Sequence, residues 1–364
     1  MLKRSGWMLL LAACATTPKG PLGSTEPEQV KMEPIMVRAA PDPLTGLDGY
    51  DAEALLEVGN EQFRQAAYDR AIKVFEKLLE QFPESASVPK AYYNLGLSYE
   101  QLAEPEKAHV HFRRVIEGHP KSDTWKDAHF RDCLSLAKLG RWKDVADTFW
   151  AARQIPGLTV MDELEARVGQ GVAMFMQDDY ATAEREFMSA IRFFEDHEKN
   201  EYLPADYFVG QARFYLGEIY AREFEGFVLK APEVSHDQWV EMMGKELEQK
   251  CQLLLRAQNN LIRAIRVGHT GWATASGFRI GSLYERLYDD LIQVPVPPGV
   301  DEEAKSFYQS QLREKVSVLV VKAIKIYEQS LQMAQRVGEK NEWVERTSMS
   351  LERMKTLYLS QKEG

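Results

Sequence analysis

The sequence predicts an all-α protein built as an α-solenoid, a stack of similar helix hairpins. Small residues recur at steps of 37, 37 and 38 residues, at Gly59, Gly96, Cys133 and Gly171. Two further sets repeat with the same steps: Ala71, Ala108, Val145 and Ala183, and Phe75, Phe112, Phe149 and Phe187. Since only 16 of the 364 residues are Phe, four in one register indicate a real period.

The composition is that of a globular protein and excludes several functions. Hydrophobic residues make up 45% and charged residues 27% of the chain. The net charge is −10, opposite to the basic surface that nucleic-acid phosphates require, so we expect no nucleic-acid partner. None of the three cysteines forms a C-x-x-C pair, which excludes a zinc ribbon and a thioredoxin-type site. Cys133 and Cys251 are expected to be buried free thiols.

Residues 1–13 are predicted to be a lipoprotein signal peptide. Two basic residues precede an apolar stretch that is shorter than the roughly 20 residues of a membrane span. Leu11-Ala12-Ala13-Cys14 resembles the bacterial lipobox. This resemblance implies cleavage between Ala13 and Cys14 and acyl chains on Cys14 that hold the protein on a membrane. The alternative is an ordinary N-terminus with a chance cysteine.

Residues 14–48 are predicted to be a lipid-anchored, Pro-rich tether. Six prolines lie between positions 15 and 48, among few large apolar residues, so this segment cannot bury enough surface to fold alone. Ala15 follows the cysteine, where an Asp would retain a lipoprotein at the inner membrane in the best-known sorting scheme. The resemblance therefore favours the outer membrane and its periplasmic face.

Residues 49–200 are predicted to form four hairpin units. The second unit resembles the tetratricopeptide repeat (TPR) most fully, through Leu95, Gly96, Tyr99, Ala108, Phe112 and Pro120. The resemblance implies a right-handed superhelix in which small residues let the two helices of a hairpin approach closely. The Phe would fill the space to the next unit. Another kind of helical hairpin array is the alternative.

Residues 201–339 are predicted to form two enlarged TPR-like units, followed by a capping helix over 340–364. Gly217 and Gly281 mark their first helices. The second helix of the fifth unit comes late, after an insertion over 223–256 that is predicted to carry an extra helix near 236–250. Prolines within 295–298 interrupt the sixth unit before a long helix. The last segment is amphipathic and fairly polar, as a cap requires.

No catalytic or metal-binding motif is present in the sequence. His109 and His111 are two residues apart on a predicted helix and therefore lie on different faces, which makes them a poor metal pair. The chain contains no H-E-x-x-H, G-x-S-x-G or G-x-x-x-x-G-K-[ST] sequence. We therefore predict a non-enzymatic protein without metal, cofactor or small-molecule substrate.

The TPR resemblance also predicts a peptide-binding groove on the concave face, formed by the first helix of each unit. Its expected lining is apolar and largely aromatic, with polar residues beside it: Leu56, Asn60, Phe63, Arg64, Tyr93, Phe130, Phe175, Phe214 and Phe278. Such a surface suits an extended peptide or an amphipathic helix. The alternative is that several of these rings pack between repeats. Of the carboxylate clamp of chaperone-binding family members only Asn60 and scattered basic residues remain, so a chaperone tail is not supported.

A lipobox, a Pro-rich tether and TPR units resemble bacterial outer-membrane lipoproteins. Segments 279–285 and 341–347 look more like the TPR lipoproteins of the myxobacterial adventurous gliding-motility complex. This resemblance implies a lipid-anchored scaffold that assembles an envelope complex with periplasmic or outer-membrane proteins. An assembly factor or pilotin-like chaperone for barrel or secretin proteins is the alternative.

Overall fold

A computed structural model of the chain describes residues 46–199, 202–204, 206–230 and 234–363. The predicted signal peptide, including Ala13, and the acylation site Cys14 lie outside the described residues. The described part consists of helices joined by turns and loops and contains no strand. The helices are α1 Ala52–Arg64, α2 Tyr68–Gln81, α3 Val88–Gln101, α4 Pro105–Gly118, α5 Trp125–Lys138, α6 Trp142–Ala152, α7 Val160–Phe175, α8 Tyr180–Glu198, α9 Asp206–Gly226, α10 His236–Val267, α11 Thr270–Ile292, α12 Glu302–Val337 and α13 Glu342–Glu363.

These helices form a stack of hairpins, so the predicted all-α TPR solenoid is confirmed. Each odd-numbered helix from α1 to α11 packs against the even-numbered helix that follows it, and each even-numbered helix packs against the next odd one. The helix α13 covers α11 and α12 at the C-terminal end. At the other end Leu47 is buried and Asp48 pairs with Lys77 of α2 at 3.0 Å, so the last residues of the predicted tether contact the first hairpin.

Close packing of glycine against phenylalanine sets the spacing within the hairpins. A Cβ atom on Gly59 would lie 2.3 Å from the Phe75 ring, and one on Gly96 would lie 2.4 Å from the Phe112 ring. Each ring therefore lies first against its own hairpin, rather than mainly in the space to the next unit as expected. Phe149 differs because Cys133 replaces glycine at the matching position. Its ring lies over Gly169 of the next hairpin, where a Cβ would be 2.3 Å away.

The two enlarged hairpins owe their size to long second helices. The 32-residue α10 runs without a break, so the separate helix predicted near 236–250 is instead the first half of α10. No proline lies within it and Gly244 alone weakens it, which a long helix tolerates at a cost of about 1 kcal/mol. Trp239 and Met243 are buried and give this half an apolar face. The 36-residue α12 follows the Pro-rich loop, as predicted.

A buried lysine joins the enlarged fifth and sixth hairpins. Lys250 of α10 is fully buried, and its Nζ donates to the carbonyl oxygens of Phe224 and Phe227 at 2.9 and 2.5 Å. It also pairs with Asp290 of α11 at 2.8 Å and lies 4.4 Å from the centre of the Phe224 ring. One ammonium group thus satisfies the C-terminal end of α9 and links three helices.

The two cysteines in the described part of the chain are both free, as predicted. Cys133 is buried and burial raises the pKa of its thiol well above the usual value. Cys251 is only partly buried, so the prediction of a buried thiol is wrong for this residue. None of the described helices combines the length and the apolarity needed to cross a bilayer.

Two histidines, one on α4 and one on α5, are held neutral. Burial, followed by the charge of a nearby arginine, lowers the pKa of His111 and of His129 from 6.5 to about 4. The ring of His111 stacks on Tyr99 with 5.3 Å between centres. His129 is 5% exposed, and neither of its ring nitrogens has a hydrogen-bond partner among the described residues. His109 instead contacts Asp132, at 2.5 Å.

These shifts predict a loss of stability in mild acid. Each folded-state pKa lies below the unfolded value, so the unfolded chain binds more protons and stability falls as the pH drops from 6.5 towards 4. Each histidine should cost about 2–3 kcal/mol of unfolding free energy by pH 4.5. We expect His129→Phe to remove about half of this loss, and also to stabilise the protein near pH 7.5 by about 1 kcal/mol because an unpartnered polar ring is no longer buried.

Urea unfolding at pH 7.5 and pH 4.5 measures both effects. The exposed His236 provides the control, because His236→Gln removes a histidine and leaves both buried histidines in place. Burial raises the pKa of Asp132, so protonation of this carboxyl makes stability rise as the pH falls. This opposing effect is present in all the variants. If His129→Phe and the wild type lost the same unfolding free energy between pH 7.5 and pH 4.5, His129 would not be a source of the acid sensitivity.

Candidate functional site: the concave groove

The groove is defined here as the concave surface of α1, α3, α5 and the first half of α7. Leu56, Tyr93 and Phe130 occupy equivalent positions on α1, α3 and α5, and all three are half-buried. The ring of Tyr93 leans on Phe112 at 5.7 Å and that of Phe130 on Phe149 at 6.0 Å. One side of each ring is therefore fixed by its own hairpin, and the rest is accessible to a partner.

Polar bridges join neighbouring first helices along this surface. The Asn94 side chain donates to the Asn60 side chain at 2.7 Å, which links α3 to α1. Arg131 of α5 pairs with Glu100 of α3 at 3.4 Å. Burial raises the pKa of Glu100, and the charge of Arg131 opposes that shift. Asn60, predicted as a groove residue, thus also holds two helices in register.

The remaining predicted residues of α1 lie at the C-terminal end of that helix. Phe63 is half-buried and makes an edge contact with Tyr68 at 5.4 Å. Arg64 is exposed and is held by Glu57 and Glu61, each at 2.7 Å. Both side chains are accessible, and the charge of Arg64 is already balanced within its own helix.

Three other predicted groove residues belong to an aromatic core instead. Phe175 is 4% exposed and its ring lies 5.0 Å from that of Tyr215, whereas Phe214 is 6% exposed and lies 5.3 Å from Trp272. Phe278 lies between Tyr327 at 6.2 Å and Trp343 of α13 at 5.7 Å. These three rings are not brought together with those of α1, α3 and α5. They follow the alternative in which rings pack between repeats.

Helix spacing explains this division. The first helix α9 packs directly against both α7 and α11, while α5 and α7 do not pack closely. Lys126 of α5 and Asp162 of α7 bridge this gap at 2.9 Å. The groove is thus open over α1, α3 and α5, and the aromatic core fills the equivalent space in the C-terminal hairpins.

Two accessible residues on and beside the groove were not predicted as site residues. Leu134 and Met176 are large apolar side chains with exposures of 46% and 43%. Both fall at groove positions of the repeat register, which could have identified them.

The described residues contain no group of three His, Cys, Asp or Glu side chains that could hold a metal ion. The groove therefore offers apolar surface, aromatic rings and a few charges. Such a surface can bind a polypeptide segment.

One family model matches part of the chain. The YfiO outer membrane lipoprotein family model matches residues 49–161, which span α1 to α6 and the start of α7. No curated protein matches the chain significantly. The chain is thus similar to this outer membrane lipoprotein family over its first three hairpins.

The chain also has some likeness to solved structures that are distant from it in sequence. MamA is 22% identical, with a TM-score of 0.36 over 42% of this chain and 78% of MamA. Pseudomonas aeruginosa PilF is 13% identical, with a TM-score of 0.41 over 79% of this chain and 97% of PilF. A tetratricopeptide repeat protein from Parabacteroides merdae is 14% identical, with a TM-score of 0.39 over 83% of this chain and 98% of the Parabacteroides protein.

Proposed function

We propose that this chain is a non-enzymatic scaffold, anchored to the outer membrane by acyl chains on Cys14 and facing the periplasm. Its groove would bind a segment of a periplasmic or outer-membrane protein. The observation that carries the proposal is the open apolar groove over α1, α3 and α5. These helices lie within residues 49–161, where the outer membrane lipoprotein family model matches.

The finer proposal is a role in a gliding-motility complex. It rests on the resemblance of segments 279–285 and 341–347. Within the first segment, Arg279 of α11 bonds Glu218 and Glu225 of α9 at 2.6 Å each, and Glu285 accepts from Tyr327 at 2.6 Å. These residues hold hairpins together, so the resemblance supports a shared fold more directly than a shared partner.

Membrane fractionation tests the anchor. We expect the wild-type protein in the outer-membrane fraction with an acylated N-terminal Cys14 peptide, and Cys14→Ala to be released or left unprocessed. Mass spectrometry of the N-terminal peptide reads both states. Recovery of unprocessed wild-type chain in the cytosol would contradict the proposed compartment.

Site-specific photocrosslinking tests the groove. A photoreactive residue in place of Leu134 should form a crosslink to one partner in a fixed ratio. Trp150 on α6 is the matched control, because it is also a large exposed side chain, at 59%, but lies on a second helix away from the groove. A crosslink that disappears once the partner has folded would favour the assembly-factor alternative. No crosslink at Leu134, or the same crosslink from Trp150, would refute binding in the groove.

A further inference from the structure

A cleft separates the second helices of the two enlarged hairpins. Both α10 and α12 pack on α11, which lies between them, but they do not pack closely against each other. Under the cleft, α11 carries the small residues Ala273 and Gly277. A Cβ on Gly277 would lie 2.5 Å from the hydroxyl oxygen of Ser330, so α11 and α12 approach closely there. The small side chains therefore leave the cleft deep, on the outer face that the second helices form.

A cavity of about 320 Å³ lies in this cleft. Its walls are mainly aliphatic and come from α10 and α12: Ile262, Ile265, Ile326 and Met333. The volume falls within the range of about 300–1,000 Å³ of ligand pockets, and a cavity of about 150 Å³ already holds a benzene ring. Gln329 at its edge is exposed, so the cavity opens to solvent. A large apolar side chain that enters from outside would gain dispersion contacts with these walls.

Two exposed apolar side chains extend the cleft beyond the cavity. Leu255 of α10 is 52% exposed and precedes the cavity residue Gln258 by about one helical turn. Val318 of α12 is 51% exposed and precedes Ile326 by about two turns. Because α10 and α12 are each antiparallel to α11, they run in the same direction, and both side chains lie towards the same end of the cleft. The cleft thus offers apolar surface for more than one side chain.

A lysine without a counter-ion stands beside the cavity. Lys322 of α12 precedes Ile326 by about one turn, and its Nζ lies 5.4 Å from the centre of the Tyr284 ring. The Tyr284 hydroxyl donates to the side chain of the cavity residue Gln258 at 3.1 Å, which connects the lysine to the cavity wall. Lys322 is exposed and has no ion pair within the described part of the chain. Its ammonium is therefore available to a carboxylate that a partner supplies.

We propose that this cleft is a second interaction surface, separate from the groove, and that it binds an acidic amphipathic helix of a protein partner. A large apolar side chain of that helix would fill the cavity, and other apolar residues would contact Leu255 and Val318. An Asp or Glu about one turn away would pair with Lys322. A concave cavity beside a positive charge fits a protruding side chain better than the flat surface of a membrane. The inference goes beyond the proposed function, because it does not depend on the groove.

The test uses the full chain in the cell, with a photoreactive residue in place of Leu255. This residue should crosslink to a protein, whereas the same residue in place of Val110, 48% exposed on the second helix α4, should not. Ile262→Trp, which fills the cavity from its wall, and Lys322→Glu, which reverses the charge, should each lower the yield about tenfold. Lys73→Glu, an exposed lysine on α2, should leave the yield unchanged.

Thermal unfolding followed by circular dichroism should show that Lys322→Glu is as stable as the wild type, so this variant decides the test even if Ile262→Trp does not fold. Mass spectrometry of the crosslinked peptide should identify an acidic residue, and changing that residue to Lys should restore the crosslink to Lys322→Glu. A Leu255 crosslink whose yield does not respond to Lys322→Glu, a crosslink to lipid, or no crosslink from Leu255 would overturn the inference. Binding in the groove is measured separately from Leu134, so the two proposals can fail independently.

Discussion

Replacing Lys250 with methionine is expected to lower the unfolding free energy of the C-terminal hairpins by about 3–5 kcal/mol. Methionine keeps the length of the side chain but removes the ammonium that satisfies two carbonyls at the end of α9 and pairs with Asp290. Within the described part of the chain, those carbonyls lose their only charged donor in a site closed to water, and Asp290 keeps only Arg286, at 2.9 Å.

A matched control lies on the same helix. Lys245 pairs with Glu241, but its side chain is 69% exposed, so Lys245→Met should change the stability by less than about 1 kcal/mol. A loss of several kcal/mol in Lys245→Met, or none in Lys250→Met, would show that the buried ammonium does not hold α9, α10 and α11 together. The double variant Lys250→Met/Asp290→Asn should recover part of the loss, because it no longer leaves a buried carboxylate short of a partner.

Hydrogen exchange is the measurement best suited to this array. In repeat proteins each unit contacts only its neighbours. Weaker contacts between two units therefore lower the stability of those units without unfolding the rest. Lys250→Met should reduce amide protection in α9 to α13 and leave that in α1 to α6 near the wild-type level. Uniform loss of protection along the chain would indicate instead that the array unfolds as one cooperative unit.

Most of the fold could be predicted because it depends on local, repeated contacts. The spacing from Gly59 to Phe75 recurs in the sequence, and the structure shows the physical contact that requires it. The ion pair of Lys250 was not predicted, since its partner Asp290 is on another hairpin and no periodic pattern in the sequence links the two residues. The prediction of a separate helix near 236–250 was wrong for a related reason. Residues that belong to the second helix of a hairpin can come late because that helix is longer, as well as because another helix is inserted before it.

The groove could be predicted only in part. The position within the repeat identifies Leu56, Tyr93 and Phe130 as residues of one surface. By the same rule it assigns Phe214 to that surface, although Phe214 is buried in the aromatic core. Whether a ring stays accessible depends on how α7, α9, α11 and α13 stack, and Trp343 of α13 closes the space beside Phe214. Such packing involves residues far apart in the sequence. It becomes visible only in the structure.

The last prediction concerns two glycines within helices, for which the same substitution should have opposite effects. A Cβ on Gly281 of α11 would lie 2.1 Å from the Tyr327 ring, which is fully buried and tied to Glu285 by its hydroxyl at 2.6 Å. The ring cannot move without breaking that bond, so Gly281→Ala should destabilise the protein by about 2–3 kcal/mol despite the better helix propensity of alanine.

Gly244 of α10 has no atom within 4 Å of its added Cβ, so Gly244→Ala should stabilise the protein by up to about 1 kcal/mol. Urea unfolding of both variants compares the two effects directly. Tyr327→Leu should relieve part of the clash in Gly281→Ala, because a smaller side chain leaves room for the Cβ. If Gly281→Ala were as stable as Gly244→Ala, propensity alone would govern both sites, and the close approach of α11 and α12 would not need glycine.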